Sequence, residues 1–309
     1  MSSLRSRFGT RSLIAAALTG LLVGSSASAS ASASAAVAPS ASATGAASSS
    51  GAATNTAAAR PYLVLGDSLS AGYQPGRGDD RSGGYVETVA AGLRRSGTPV
   101  RVTNLACTGE STATMRDGGR CRYRQGSQLR AATAFLRAHP DTTLVTVSLG
   151  ANDLLRCVDR SRGTADSRCL GTQAAGLRPR LASTLRELRR AAPRARIIVL
   201  DYYDPSQAAA VLAPSQRGRG ANAGLVRTKV NVAVRGAARD AGARVAYVSE
   251  PFDEGWARRV DLPGHGRVPI RVARICTWTW MCSRGDIHPN DEGYRVIAGA
   301  VLESWQRRR

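Results

Sequence analysis

Five short apolar runs, rich in β-branched residues, alternate with amphipathic stretches across residues 60–309. Tyr62–Leu65, Val100–Leu105, Leu144–Leu149, Arg196–Asp201 and Arg244–Val248 read as buried strands. Between and after them, apolar residues recur at helical spacing in Gly84–Arg95, Gln128–Ala138, Ala174–Ala192, Val226–Ala241 and Asp291–Trp305. Strand and helix alternating at this interval predict a parallel sheet with right-handed crossovers and helices on both faces. No internal repeat is visible. The connections Arg156–Leu170 and Glu250–Asp286 are longer than ordinary ones and each holds two cysteines. Long tied loops above such a sheet tend to carry function.

Residues 1–59 depart from this pattern. Arg5, Arg7 and Arg11 precede the apolar segment Leu13–Val23, and Ser-Ala repeats such as Ala27-Ser28-Ala29 follow it. Basic, apolar and small residues in that order predict a secretory signal peptide over 1–29. The apolar segment is shorter than the roughly 20 residues that span a bilayer. The absence of a cysteine near the cleavage region argues against a lipid anchor. Residues 30–59 are mostly Ala, Ser, Gly and Thr, with little to bury, and are expected to form a disordered linker. Residues 60–309 suit one α/β domain, and the expected location is extracellular.

The formal net charge is +21, which invites a nucleic-acid reading. However, Lys229 is the only lysine, and the arginines are scattered apart from Arg307-Arg308-Arg309. That distribution reads as a compositional bias on a solvated surface, with no nucleic-acid partner. Adsorption to anionic membranes or polymers remains compatible with it. Six cysteines in an exported chain point to disulfides. Short loops favour the sequential pairs Cys107–Cys121, Cys157–Cys169 and Cys276–Cys282, and the other pairings stay open. Zinc is the rival reading for Cys276, Cys282 and His288, but their spacing matches no common ligand pattern. No metal or cofactor is expected.

The candidate chemistry collects where strands end. The first run stops at Gly66-Asp67-Ser68-Leu69-Ser70, at the edge where open α/β sheets bind ligands. Alone, that segment is an ordinary turn. The second strand leads into Ala106-Cys107-Thr108-Gly109-Glu110-Ser111, and the third into Gly150-Ala151-Asn152-Asp153. Gly285-Asp286-Ile287-His288-Pro289-Asn290 precedes the last helix. In order, these blocks offer a hydroxyl, a backbone N–H, a side-chain amide and an imidazole. Acyl transfer needs those groups as nucleophile, oxyanion donors and general base. The structural readings are a cap or turn for Ser68 and a turn with N-cap for Asn152 and Asp153. His139 reads as a helix cap, His265 lies in a Gly-rich loop, and Asp67 is expected to brace the Ser68 turn.

The four blocks resemble those of the SGNH (GDSL) hydrolase superfamily, in family order and across Tyr62 to Trp305. The closest resemblance is to its secreted, three-disulfide actinobacterial esterases and lipases. It implies a three-layer α/β/α sandwich of flavodoxin type, with a parallel five-stranded sheet, and ester hydrolysis without a metal. It also implies Ser68 as nucleophile, His288 as base, and an oxyanion hole of the Ser68 N–H, the Gly109 N–H and the Asn152 amide. One position departs from the pattern. The family acid stands three residues before the histidine, where this chain has Gly285, and Asp286 is one residue closer. Two arrangements follow: a Ser68-His288-Asp286 triad, or a dyad with a backbone carbonyl near Gly285 orienting the ring.

Trp278 and Trp280, between Cys276 and Cys282, are candidates for one lip of an acyl-chain pocket, and Tyr73 for the opposite wall. The competing account has one indole covering the disulfide, the other packing in the core, and Tyr73 as ordinary packing. The expected activity is that of a monomeric esterase or lipase acting on acyl glycerols or phospholipids. A carbohydrate O-acetyl esterase is the alternative. A non-catalytic surface-binding domain is the third reading, and the complete set of reacting groups argues against it. The Gly-x-Ser-x-Gly elbow, His-Glu-x-x-His and the P-loop are all absent.

Overall fold

Each of the five apolar runs is a strand of one parallel sheet. The computed structural model describes residues 58–159, 164–211, 223–255 and 257–307. The expected signal peptide, and the expected linker up to residue 57, lie outside the described residues. In chain order the strands are β1 (Arg60–Gly66), β2 (Val100–Asn104), β3 (Leu144–Ser148), β4 (Val158–Asp159), β5 (Thr164–Ala165), β6 (Arg196–Leu200), β7 (Arg244–Ala246), β8 (Arg259–Leu262) and β9 (Gly266–Pro269). The helices are α1 (Gly84–Arg95), α2 (Thr112–Asp117), α3 (Gln128–Ala138), α4 (Ala151–Leu155), α5 (Ser167–Ala191), α6 (Ala223–Asp240), α7 (Ser249–Asp253), α8 (Ile270–Trp278), α9 (Met281–Arg284) and α10 (Asp291–Gln306). The sheet runs β2-β1-β3-β6-β7 with every pairing parallel, so β1 and β3 lie side by side near its middle.

Side chains alternate across a strand, and here they fill two separate cores. Leu63, Leu65, Val145, Val147, Ile197 and Val199 point to a face covered by α3, α5 and α6. Tyr62, Val64, Leu144, Ile198 and Leu200 point to the other face, covered by α1 and α10. Burial on both faces explains why these strands read as continuous apolar runs. The result is the expected three-layer sandwich. α10 lies close against α1 because Gly92 has no side chain there. A Cβ on Gly92 would sit 2.6 Å from Leu302 Cδ1.

The differences from the sequence reading lie in the connections. β4 and β5 form a small antiparallel hairpin, as do β8 and β9, and α7 to α9 occupy much of residues 250–286. α5 starts earlier than its apolar spacing indicated, because the Asp166 side chain accepts the Cys169 N–H at 3.0 Å and caps a polar first turn. The disulfides pair as Cys107–Cys121, Cys157–Cys169 and Cys276–Cys282. Each ties down one of these connections. Among the described residues, no helix is long and apolar enough to cross a membrane.

Candidate active site

β1 turns away from the sheet at Gly66, whose φ of 120° lies where side chains are rarely accommodated. A Cβ there would stand 1.9 Å from the Ser148 carbonyl oxygen of β3. The buried side chain of Gln128, the first residue of α3, grips this point. Its Oε1 accepts the Gly66 N–H at 2.6 Å, and its Nε2 donates to the Gly66 carbonyl at 3.1 Å and to the Glu110 carboxylate at 2.9 Å. The turn carrying Ser68 is thus held by β3 and α3, which makes it an extension of the sheet.

Asp67 is buried beneath that turn. Its carboxylate accepts the Leu69 N–H at 3.1 Å, the Ser148 hydroxyl at 2.8 Å and the Tyr202 phenol at 2.7 Å. The Ser148 oxygen also lies 2.8 Å from the Ser70 hydroxyl, which meets Tyr85, and Tyr85 and Tyr62 both meet Thr146. Burial pushes the Tyr85 phenol up to about 12 and the Tyr62 phenol well above its ordinary value, so both remain neutral hydrogen-bonding groups.

Burial also raises the Asp67 carboxyl above its ordinary value, while its donors, Tyr202 first among them, pull the other way. A raised folded-state pKa means that folding shifts this group toward its neutral acid relative to the unfolded chain. Its stabilising contribution is complete below the unfolded pKa and is lost as pH rises through the folded value. The Tyr202 bond limits that loss by stabilising the ionised form. Tyr202→Phe should therefore destabilise the protein at neutral pH by about 1.5–3 kcal/mol, as for a hydrogen bond to a charged group. In melting temperature this is roughly 3–12 °C for a domain of this length. The deficit should shrink as pH falls through the Asp67 titration, which paired melting curves at acid and neutral pH would check.

His288 comes to Ser68 from the opposite end of the domain. Its Nε2 lies 2.9 Å from Ser68 Oγ, and its Nδ1 lies 2.7 Å from Asp286 Oδ1. Gly285 ends α9 in the left-handed conformation, with φ 63°. The chain then doubles back so that Asp286 Oδ1 accepts the backbone N–H of His288 at 2.9 Å as well as facing its ring. The Nδ1 partner in this geometry is thus the carboxylate two residues upstream. Trp280 brackets the same loop: its N–H donates to the His288 carbonyl at 3.0 Å and its carbonyl accepts from Asp286 N–H at 3.3 Å. Tyr203 supports the loop from β6 through a bond to the Ile287 carbonyl.

The loops after β2 and β3 border the same rim. Cys107 N–H donates to the Gly66 carbonyl at 3.0 Å, which brings the Gly109 segment beside the Ser68 turn. Gly109 has φ 83°, and a Cβ there would meet the Arg120 guanidinium at 2.5 Å. Asn152, in the first turn of α4, donates from Nδ2 to the Glu110 carbonyl at 3.0 Å, which links the two loops. The second hydrogen of that amide is not used by this bond. Asp153 is buried against the Thr112 N–H at 2.9 Å and the Arg180 guanidinium at 3.1 Å, which anchors α4.

The aromatic candidates divide. Tyr73 packs on the His288 imidazole, with ring centroids 4.4 Å apart. Trp280 donates from its indole to Gln74 Oε1 at 2.6 Å, next to the Ser68 turn, and carries the Arg284 guanidinium over its ring. Trp278 meets the edge of buried Phe252 at 5.2 Å and packs against the core on the α1 side. His139 caps α3, as expected, with Nδ1 2.9 Å from the Phe135 carbonyl. Sequence reasoning missed Gln128, Tyr202, Tyr203 and the backbone of Trp280. A tyrosine pair directly after the fourth strand of the sheet was the one available signal.

Comparison with known proteins bears on the family and the fold. The family model described as "GDSL-like Lipase/Acylhydrolase family" matches residues 64–296, a span that includes all four blocks. Among solved structures, an extracellular lipase from Streptomyces rimosus is 20% identical, with 80% of this chain and 100% of that chain covered and a TM-score of 0.52. A protein from Parabacteroides merdae ATCC 43184, described as a GDSL-like lipase, is 14% identical, with 79% and 94% covered and a TM-score of 0.50. At these identities the likeness concerns the fold. A search of curated proteins finds no match.

Proposed function

The chain belongs to the GDSL-like lipase/acylhydrolase family and is a carboxylic ester hydrolase, and we propose that it is a secreted serine esterase or lipase acting through an acyl-enzyme on Ser68. The observation that carries this reading is the continuous contact from Ser68 Oγ to His288 Nε2 and from Nδ1 to Asp286. In the proposed reaction His288 takes the Ser68 proton as Oγ attacks the ester carbonyl, then returns it to the departing alcohol. Asp286 stabilises the imidazolium and fixes the ring tautomer. The tetrahedral oxyanion is held by the Ser68 N–H, the Gly109 N–H and the spare hydrogen of the Asn152 amide. Water then enters by the same route and releases the acid. No step draws on a metal or cofactor.

Asn152→Ala tests the oxyanion assignment. The loss of one such donor is expected to lower kcat by about 10²–10³ while KM changes little. Near-normal turnover by a folded variant would remove Asn152 from the site. For substrate class, the proposed walls are Tyr73 and Trp280, and the proposed substrates are acyl glycerols and phospholipids, taken by a monomer outside the cell. A p-nitrophenyl ester series of rising chain length, with an acetylated polysaccharide in parallel, tests this. Turnover rising with chain length supports a lipase, and activity confined to the polysaccharide would make the protein a carbohydrate O-acetyl esterase.

A further inference from the structure

The proposed reaction makes no use of the Glu110 carboxyl, yet Glu110 is fully buried beside the rim, and so is Gln128. Withdrawing a carboxyl group from water is costly unless its hydrogen bonds are met. Here Glu110 Oε2 accepts Gln128 Nε2 at 2.9 Å. Bracing the Gly66 turn would need only the two bonds that Gln128 makes to Gly66. An apolar side chain at position 110 would fill the same space without burying a polar group. The third bond therefore calls for another account.

Each of the three proposed oxyanion donors lies one short step from this pair. Ser68 follows Gly66 by two residues, and Gln128 holds Gly66 at both its N–H and its carbonyl. Gly109 is bracketed by two ties to the same turn. Before it, the Cys107 N–H donates to the Gly66 carbonyl at 3.0 Å; after it, the Glu110 carboxyl meets Gln128. Asn152 donates to the Glu110 carbonyl at 3.0 Å, so the third donor is referred to the same residue. Gln128 Nε2 also lies 3.1 Å from the Tyr123 hydroxyl, which donates to the Leu105 carbonyl at 2.8 Å and steadies the end of β2. Buried networks of this kind rigidify what they join.

We propose that Gln128 and Glu110 are positioning residues for the oxyanion hole, their mutual bond fixing the spacing between the Ser68 turn and the donors at Gly109 and Asn152. The inference rests on the proposed acyl-enzyme reading. Neither side chain meets the ester. Their influence passes through the backbone of Gly66, Gly109 and Glu110, and a misplacement of about 1 Å in such a site can lower turnover by about 10².

The test is steady-state hydrolysis of p-nitrophenyl acetate by the full chain, with active sites counted by titration of Ser68 with a fluorophosphonate. Glu110→Leu keeps the Gly66 bonds and is expected to lower kcat per titrated site by about 10–10², with KM nearly unchanged. Glu110→Gln again offers an oxygen to Gln128 and should recover most of that loss. Gln128→Leu should be at least as slow as Glu110→Leu. In that background, adding Glu110→Leu should change kcat by less than about threefold, because the bond is already gone. Leu188→Ala, in the buried face of α5 near the start of β6, serves as the structural control. It should lower the melting temperature and leave kcat per site intact. Normal kcat per site in Glu110→Leu, or independent multiplying losses in the double variant, overturns the proposal. If Gln128→Leu fails to fold, the contrast between Glu110→Leu and Glu110→Gln decides alone. Ser68→Ala separates the two levels: an active Ser68→Ala protein removes the acyl-enzyme itself, whereas an inactive one beside a normal Glu110→Leu removes only this inference.

Discussion

Alanine at Ser68 is expected to reduce ester turnover by about 10⁵–10⁶ in kcat, close to the loss seen when a serine hydrolase is deprived of its nucleophile. The hydroxyl sits on a half-buried turn whose position is fixed by Gly66, Gln128 and Ser148, so its removal leaves that frame intact. The melting temperature should therefore hardly move. An ester with a fluorescent leaving group would show a burst of one equivalent in the unaltered enzyme and none in the variant. A folded Ser68→Ala protein with more than a few per cent of normal activity would refute the acyl-enzyme.

The second large effect is expected at Asp286. Asparagine there is nearly isosteric and can still accept the His288 backbone N–H, but it presents a neutral group to Nδ1. The predicted fall in kcat is about 10⁴, as for a triad that loses its carboxylate. KM should change little, because Asp286 touches the imidazole and not the ester. The dyad reading predicts something else: with a backbone carbonyl supporting the ring, Asp286→Asn would cost less than about tenfold. The two expectations lie far enough apart for a single kinetic measurement to separate them.

Much of the architecture was legible in the sequence because it rests on burial. A central parallel strand is apolar on both faces, so Tyr62–Leu65 and Leu144–Leu149 stood out without any pairing information, and each stopped at a glycine-led turn. Elements of a few residues carry no readable period. α2, α4, α9 and the β4–β5 hairpin were hidden for that reason, and they owe their form to disulfides and distant hydrogen bonds. The four candidate blocks were legible through resemblance. Their braces were not, since Gln128 acts on a residue 62 positions away and Tyr202 on one 135 away. The partner of His288 Nδ1 could not be read either. Whether a carboxylate two residues upstream can reach the ring depends on the left-handed turn at Gly285, and glycine permits several others.

Ser68 leaves the first strand of the sheet, whereas His288 arrives just ahead of α10, which is clamped to the same region by the Tyr294 hydroxyl on the Tyr73 carbonyl. On the proposed mechanism, a nascent polypeptide of this kind carries its attacking group early and its proton acceptor late. It would then stay chemically silent through nearly all of its synthesis, and proteolytic nicking that sheds the last helix would silence it again.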